Sequence, residues 1–225
     1  MTETTKNNDF VEIEYTGIVK EDNSVFDTTD EIIAKKEGFH NPKHNYGSQI
    51  VCLGQKQLLK GLDSAAVGKE VGKEYEVTIQ PEEGFGRKDA KLMKLVPTKF
   101  FTKENIKPMP GLPVNIDGAY GIIRTVTGGR VIVDFNHPLS NKELNYRFKI
   151  NRIVTDDKEK LMSFLELELG AKKEETKIEL QEGNAKVTLK KAIPEQFAKV
   201  IEKKVLEMIP TLKKLEFTEE KQQNT

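Results

Sequence analysis

The sequence predicts an α+β fold in which a short amphipathic helix lies across a β-sheet. The helix is predicted in LLKGLDSA, where three leucines recur at helical spacing: Leu58, Leu59 and Leu62. The sheet is predicted from EYEVTI, where apolar side chains alternate with polar ones, as in a half-buried strand: Tyr75, Val77 and Ile79. These two patterns together leave an apolar hollow where the helix meets the sheet.

Two further strands are predicted upstream of the helix. The first is VEIEYTG, whose apolar residues fall on one face and which a glycine ends: Val11, Ile13, Tyr15 and Gly17. The second is the short segment VFD, which ends in the acidic residue Asp27. Residues 28–46 show no sustained period and are predicted to be a loop.

Residues 88–136 are predicted to form a small, mostly β domain. AYGIIRTV and RVIVDF flank the pair Gly128-Gly129, which is a typical hairpin signal. A structureless loop of this length inside a compact domain is improbable, so the segment is expected to have its own fold.

Residues 156–225 are predicted to form a further α+β domain. Asp156 with Glu159 is typical of a helix start, and Gly170 is typical of its end. Alternating strands follow, and then a second helix that Pro194 opens. The apolar content is small for a domain of this length, which favours a partner surface such as a second copy of the chain in a homodimer.

Several of these motifs occur together in a fixed order. VEIEYTG, VFD, LLKGLDSA, VGKEYEVTI and PEEGFG have the order and spacing of the FKBP-type peptidyl-prolyl cis-trans isomerases, and the chain resembles that family over residues 7–155. The insertion before NHPL, residues 136–139, is similar to the SlyD-like, long-type branch with an insert-in-flap domain.

The resemblance implies a domain organisation. An antiparallel half-barrel sheet would wrap on the short helix, and the catalytic domain would comprise residues 1–87 and 137–155. Residues 88–136 would be the inserted chaperone domain, and residues 156–225 would form a separate C-terminal domain.

The chemistry of prolyl isomerisation needs no reactive side chain. Rotation about a peptide bond costs about 18–20 kcal/mol because resonance gives the C–N bond double-bond character. The planar ground state is charge-separated, whereas the twisted transition state has lost that resonance. A dry, apolar pocket therefore disfavours the ground state more than the transition state and lowers the barrier.

The resemblance assigns the pocket residue by residue. Aromatic walls, an acidic neighbour and aliphatic contacts are implied at Tyr15, Phe26, Asp27, Leu58, Leu59, Leu62, Phe85, Leu139 and Phe148. Leu62 stands where short-form members carry a tryptophan floor. Phe85 stands where many members carry a tyrosine whose hydroxyl donates to the bound carbonyl. We therefore expect the chain to bind macrolide inhibitors more weakly and to retain turnover. Asp27 has an alternative role, in which it caps a loop or pairs with a lysine.

The inserted domain has a separate predicted role. It contains a dense apolar stretch that, by resemblance, would hold unfolded chains: Met93, Leu95, Val96, Phe100, Phe101, Ile106 and Met109. Methionine-containing surfaces suit irregular partners. The alternative is that these side chains form the core of the insert.

Composition excludes several other function classes. Acidic and basic residues are equal in number, 36 of each, which argues against nucleic acid or an anionic membrane as the main partner. The single cysteine, Cys52, excludes an internal disulfide and favours a small buried hydrophobe over a catalytic thiol. No cofactor or metal is predicted, because His40 and His44 lie in a Pro/Gly-containing loop. We expect a cytoplasmic protein without a membrane segment.

Two functions from different classes remain after these exclusions. The first is a peptidyl-prolyl isomerase with chaperone activity, whose partners are unfolded or partly folded polypeptides containing X-Pro bonds. The alternative is a non-catalytic scaffold that keeps the fold and binds proteins. The sequence leaves the oligomeric state open.

Overall fold

The computed structural model describes residues 3–219, which fall into two compact units. One unit comprises the residues up to 78 and those from 145 onward, and the other comprises residues 79–144. The predicted limits at residues 1 and 225 lie outside the described residues.

The first unit begins with a five-stranded sheet and two short helices. Its elements in chain order are β1 (Phe10–Val19), β2 (Val25–Thr28), α1 (Glu31–Lys36), β3 (Gln49–Cys52), α2 (Lys60–Ala66) and β4 (Glu74–Ile79). The later strand β9 (Leu144–Ile153) lies between β1 and β4. The sheet order is β2-β1-β9-β4, with β3 also pairing with β1, and β1 is antiparallel to both β2 and β3. The predicted combination of a short helix with an antiparallel sheet is confirmed.

Helix α1 was not predicted, because residues 28–46 were interpreted as a loop. Asp30 caps it, and its carboxylate accepts from the backbone N–H groups of Ile32 and Ile33 at 2.7 and 3.2 Å. The helix has six residues and buries only Ala34. A segment this short shows no apolar period, and only the capping residue signals it.

The second unit contains a four-stranded antiparallel sheet. Its elements are β5 (Met93–Pro97), α3 (Thr98–Lys103), β6 (Pro113–Ile116), β7 (Ala119–Thr127) and β8 (Arg130–Asp134), in the sheet order β5-β8-β7-β6. The predicted hairpin is confirmed, because Thr127 pairs with Arg130 across Gly128 and Gly129, both at positive φ.

Side chains tie the two ends of this inserted sheet together. The backbone N–H of Asp89 donates to Asn136 Oδ1 at 2.7 Å, and Asn136 Nδ2 donates back to the Asp89 carbonyl at 3.1 Å. The buried Asp134 carboxylate accepts from Lys88 at 2.9 Å and from Arg124 at 3.1 Å. Burial alone would raise the pKa of Asp134, but hydrogen bonds from Lys88, Asn136 and Arg124 outweigh it and hold the pKa well below its usual range.

The second unit extends beyond the predicted insert, residues 88–136, on both sides. The added segments bond to each other, since Ser140 Oγ donates to the Phe85 carbonyl at 3.2 Å and Asn141 N donates to the Gly86 carbonyl at 2.9 Å. Phe85 and Leu139 therefore lie in this second unit.

The remaining elements complete the first unit. They are α4 (Asp157–Leu169), β10 (Lys177–Gln181), β11 (Asn184–Leu189), α5 (Glu195–Met208) and β12 (Lys214–Glu219), with the sheet order β10-β11-β12. The start of α4 is as predicted, because Glu159 N donates to Asp156 Oδ1 at 2.7 Å, and Gly170 ends it at φ 63°.

This C-terminal segment shares its core with the first sheet. Phe10 of β1 and Cys52 of β3 belong to one buried cluster with Leu161 and Phe164 of α4 and Leu215 of β12. Burial raises the pKa of the Cys52 thiol to about 12, so the side chain behaves as the small hydrophobe that was predicted. Elements α4 to β12 therefore cover an apolar surface of the first sheet instead of standing apart from it.

Candidate active site

Three aromatic rings meet on the first sheet, one from each of three adjacent strands. Tyr146 of β9 lies 5.8 Å from the ring of Tyr15 of β1 and 5.8 Å from the ring of Phe26 of β2. The contact with Phe26 is edge-to-face, with an interplanar angle of 89°. The sheet order places β1 between β2 and β9, which is why these rings converge.

Gly17 makes room for this cluster. A Cβ on Gly17 would lie 2.8 Å from Phe26 Cζ and 2.9 Å from Tyr146 Cζ, so the tips of both rings occupy the space above the glycine. Gly17 follows Tyr15 by two residues and lies on the same face of β1. The glycine is therefore needed for close approach rather than for an unusual backbone angle.

Asp27 is the acidic residue at this cluster. It pairs with Gly17 in the β1–β2 register and is half-buried. Burial raises the pKa of Asp27, while the charge of His44, the Thr28 backbone and the Tyr15 hydroxyl lower it by a smaller amount. Burial, followed by the charge of Asp27, also raises the pKa of Tyr15. Both directions indicate a region of low polarity.

The three predicted leucines lie around the start of α2. Leu62 is fully buried on the helix, whereas Leu58 and Leu59 are half-buried just before it, with Leu59 at the N-cap position. Their role in a pocket remains a prediction.

Two aromatic side chains of β9 make different ring contacts. Phe148 stacks on Tyr75 at 5.6 Å, whereas Tyr146 contacts the rings of Tyr15 and Phe26. Tyr146 was missed because it and Phe148 share one face of β9 two residues apart, and only the strand register distinguishes them. The alternation in YRFKI was the signal that marks both as inward-facing.

Phe85 and Leu139, which belong to the second unit, are connected by His137. The rings of Phe85 and His137 stack at 4.3 Å and 4°, and the backbone N–H of Leu139 donates to His137 Nδ1 at 3.2 Å. His137 thus fixes the NHPL turn. The pocket roles of Phe85 and Leu139 remain predictions.

The predicted client-binding residues divide into two groups. Four are exposed, with exposed fractions from 37% to 59%: Met93, Leu95, Phe100 and Met109. Phe101 was wrongly included, because α3 turns its side chain into the core of the insert, where it is fully buried with Ile123 and Val133. Val96 and Ile106 are partly buried against that core.

An open groove of about 980 Å³ lies on the first unit. Charged residues from three strands line it, among them Glu14, Glu76 and Lys149, together with Ile32 of α1. It shares Tyr15 and Phe148 with the aromatic region. Such a polar lining does not remove water from a prolyl amide, so the groove itself does not supply the dry environment that isomerisation needs.

Within residues 3–219 no group of three or more His, Cys, Asp and Glu side chains is arranged to hold a metal ion. In the same range no helix has the length and apolar character needed to cross a membrane.

Comparison with known proteins identifies the family. The chain is 33% identical over 154 residues to the short-type peptidyl-prolyl cis-trans isomerase of Methanocaldococcus jannaschii, a match that covers 68% of this chain and 97% of that protein. This chain belongs to the FKBP-type peptidyl-prolyl cis-trans isomerase family. The family described as FKBP-type peptidyl-prolyl cis-trans isomerase matches this chain over residues 1–101. The family described as FKBP26, IF domain, matches it over residues 94–139.

Two SlyD isomerases are also similar to this FKBP-type chain. The SlyD protein of Haemophilus influenzae is 32% identical over 110 residues, which is 43% of this chain and 53% of that protein. The SlyD protein of Helicobacter pylori is 31% identical over 103 residues, 44% of this chain and 55% of that protein. The chain thus spans about half the length of these two relatives. The predicted family and its α+β fold are confirmed.

Proposed function

We propose that this FKBP-type chain isomerises X-Pro bonds in unfolded or partly folded polypeptides at the aromatic cluster, which we name the ring pocket: Tyr15, Phe26, Asp27 and Tyr146. The observation that carries this proposal is the convergence of three rings above Gly17. Leu58, Leu59 and Leu62 are proposed to complete it from the side of α2. Phe85, Leu139 and Phe148 stay in the proposal as further walls.

The ring pocket acts by removing water from the amide. An X-Pro amide in water keeps its charge-separated planar form hydrated, whereas aromatic walls offer few hydrogen bonds to it. The twisted form is less polar and loses less on entering the pocket, so its free energy falls relative to that of the planar form. The raised pKa values of Asp27 and Tyr15 support this low polarity.

The first prediction concerns Asp27. Wild-type protein should accelerate cis-to-trans isomerisation of an Ala-Pro peptide in a protease-coupled assay. Asp27→Ala should lower kcat/KM by about tenfold because the buried carboxylate no longer orders the Tyr15 hydroxyl, a change of about 1.4 kcal/mol. Asp27→Asn keeps the shape of the side chain and removes its charge, so this variant separates the contribution of the charge from that of the shape. A wild-type rate equal to the spontaneous rate would instead favour the non-catalytic scaffold.

The inserted domain is proposed to hold client chains while the ring pocket acts on their prolines. The supporting observation is that Met93, Leu95, Phe100 and Met109 remain exposed on a domain that already has its own buried core. Exposed apolar and methionine side chains adapt to irregular partners.

The second prediction concerns removal of the inserted domain. Residues 88–136 should be replaceable by a short loop because the two ends of this segment lie close together. Asp89 and Asn136, at those ends, are hydrogen-bonded to each other. The shortened chain should lose about tenfold or more in catalysis of proline-limited protein refolding, since client binding no longer raises the local concentration of prolines. Activity on a short peptide should fall less, and equal losses on both substrates would contradict the division of roles.

A finer variant tests the exposed group alone. Leu95→Ser with Met109→Ser should weaken binding of an unfolded client. Leu167→Ser, which changes a leucine of α4 that is 44% exposed, is the matched control.

Self-association and location are proposed on narrower grounds. Phe197 and Val200 of α5 are apolar but 66% and 67% exposed. This apolar surface supports the proposed homodimer through the C-terminal segment, and a monomer mass in light scattering would exclude it. Cytoplasmic location remains our proposal.

A further inference from the structure

We propose that the hydroxyl group of Tyr146 is a hydrogen-bond donor to the bound peptide, and that it selects for the carbonyl of the proline residue itself. This inference rests on the proposed isomerase function and deepens it. The ring of Tyr146 accounts for the aromatic packing, so the proposal assigns a role to the hydroxyl oxygen only.

The hydroxyl is the one polar group of a nearly buried side chain. Tyr146 is 2% exposed, and its ring tip lies in the space above Gly17, against Phe26. Among the described residues no hydrogen bond joins the Tyr146 oxygen to any partner. The oxygen is nevertheless not one of the fully sealed polar atoms that lack a partner in this part of the chain. It therefore retains access to the hollow beside the rings.

The surroundings of the hydroxyl keep it in its donor form. Burial, and then the charges of Asp27 and Tyr15, raise the pKa of Tyr146 above its ordinary value, so the hydroxyl stays protonated. The Tyr15 hydroxyl is engaged with Asp27, so the two tyrosines at this cluster are not equivalent. Tyr146 has a proton to donate, and residues 3–219 offer no acceptor for it.

Substrate binding makes this proton consequential. A prolyl ring that fills the hollow expels the water that solvates the hydroxyl, and a buried hydroxyl without a partner is unfavourable. The ring carbons offer no acceptor, so the acceptor must be a peptide carbonyl. Donation to the carbonyl of the twisting amide would stabilise its charge-separated planar form and oppose catalysis. The carbonyl of the proline residue does not change during the twist, and donation to it strengthens binding without a penalty in turnover.

The test separates binding from turnover. Tyr146→Phe keeps the ring and removes the oxygen, so KM for a proline peptide should rise about fivefold while kcat stays within about twofold, as expected for one hydrogen bond of ordinary net strength that is equal in both states. Tyr120→Phe, at a tyrosine that is 59% exposed on the insert, is the control and should change neither value. An unchanged KM, or a change confined to kcat, would overturn the proposal.

A truncated ligand completes a double-mutant cycle. An acyl-proline amide and an acyl-2-methylpyrrolidide, which lacks the proline carbonyl, are compared as competitive inhibitors. Wild-type protein should bind the first about fivefold more tightly, whereas Tyr146→Phe should bind both equally. Equal discrimination by both proteins would overturn the role of the hydroxyl. An inactive wild-type protein would contradict the isomerase function instead, so the two failures are distinguishable.

Discussion

Replacing Gly17 with alanine is expected to remove most of the isomerase activity. The new Cβ would lie 2.8 and 2.9 Å from the ring tips of Phe26 and Tyr146, closer than carbon atoms approach each other, so one or both rings must move. Overpacking of this kind typically costs about 1–3 kcal/mol of stability. If displaced rings that no longer enclose the proline lose the same amount of transition-state stabilisation, kcat/KM falls by about 5- to 150-fold. The measurement is peptide isomerisation at matched concentrations of folded protein.

The second unit provides a matched control for this substitution. A Cβ on Gly121 would lie 2.7 Å from Val133 Cγ1 and 2.9 Å from Phe135 Cδ1, which is the same degree of crowding. Gly121→Ala should therefore strain the inserted domain and reduce its thermal stability while sparing activity on a short peptide. Neither glycine has a positive φ, so neither alanine is disfavoured by the backbone. Full activity of Gly17→Ala would rule out the ring pocket as the site of catalysis.

Deleting residues 156–225 is expected to leave a chain that aggregates. Phe10, Cys52 and Val154 are at most 2% exposed because α4 and the elements after it cover them. Removal of that cover exposes a contiguous apolar surface on the first sheet, which is an aggregation hazard. A soluble residue 1–155 fragment that unfolds cooperatively would contradict the shared core.

Single substitutions measure the same interface without a truncation. Phe164→Ala, in the shared core, should cost about 3–5 kcal/mol of unfolding free energy in a denaturant titration. Leu167→Ala, on the exposed face of the same helix, should change it by about 0.5 kcal/mol or less. Similar midpoints for both variants would show that α4 contributes little to the core.

Sequence patterns predicted the elements whose burial repeats with a regular period. The strand from Val11 to Tyr15 and the helix at Leu62 were found because each presents one apolar side to the core. Helix α1 was not predicted, since its six residues with a single buried alanine show no apolar period.

Contacts set by register or by distance in the chain could not be predicted. Tyr146 and Phe148 are equivalent in the sequence pattern, and only the pairing of β9 decides which ring meets Phe26. Phe100 and Phe101 are adjacent, yet the single-turn geometry of α3 exposes one and buries the other. The contact of Phe10 with the C-terminal cluster joins the two ends of the chain, and no local pattern encodes it.

The core that links Phe10 to Leu215 bears on how the protein is made. A ribosome releases β1 long before β12, so the first strand lacks part of its buried surroundings until β12 has also emerged. During that interval the apolar side chain of Phe10 is uncovered, and the nascent isomerase is itself an unfinished chain of the kind it is proposed to assist.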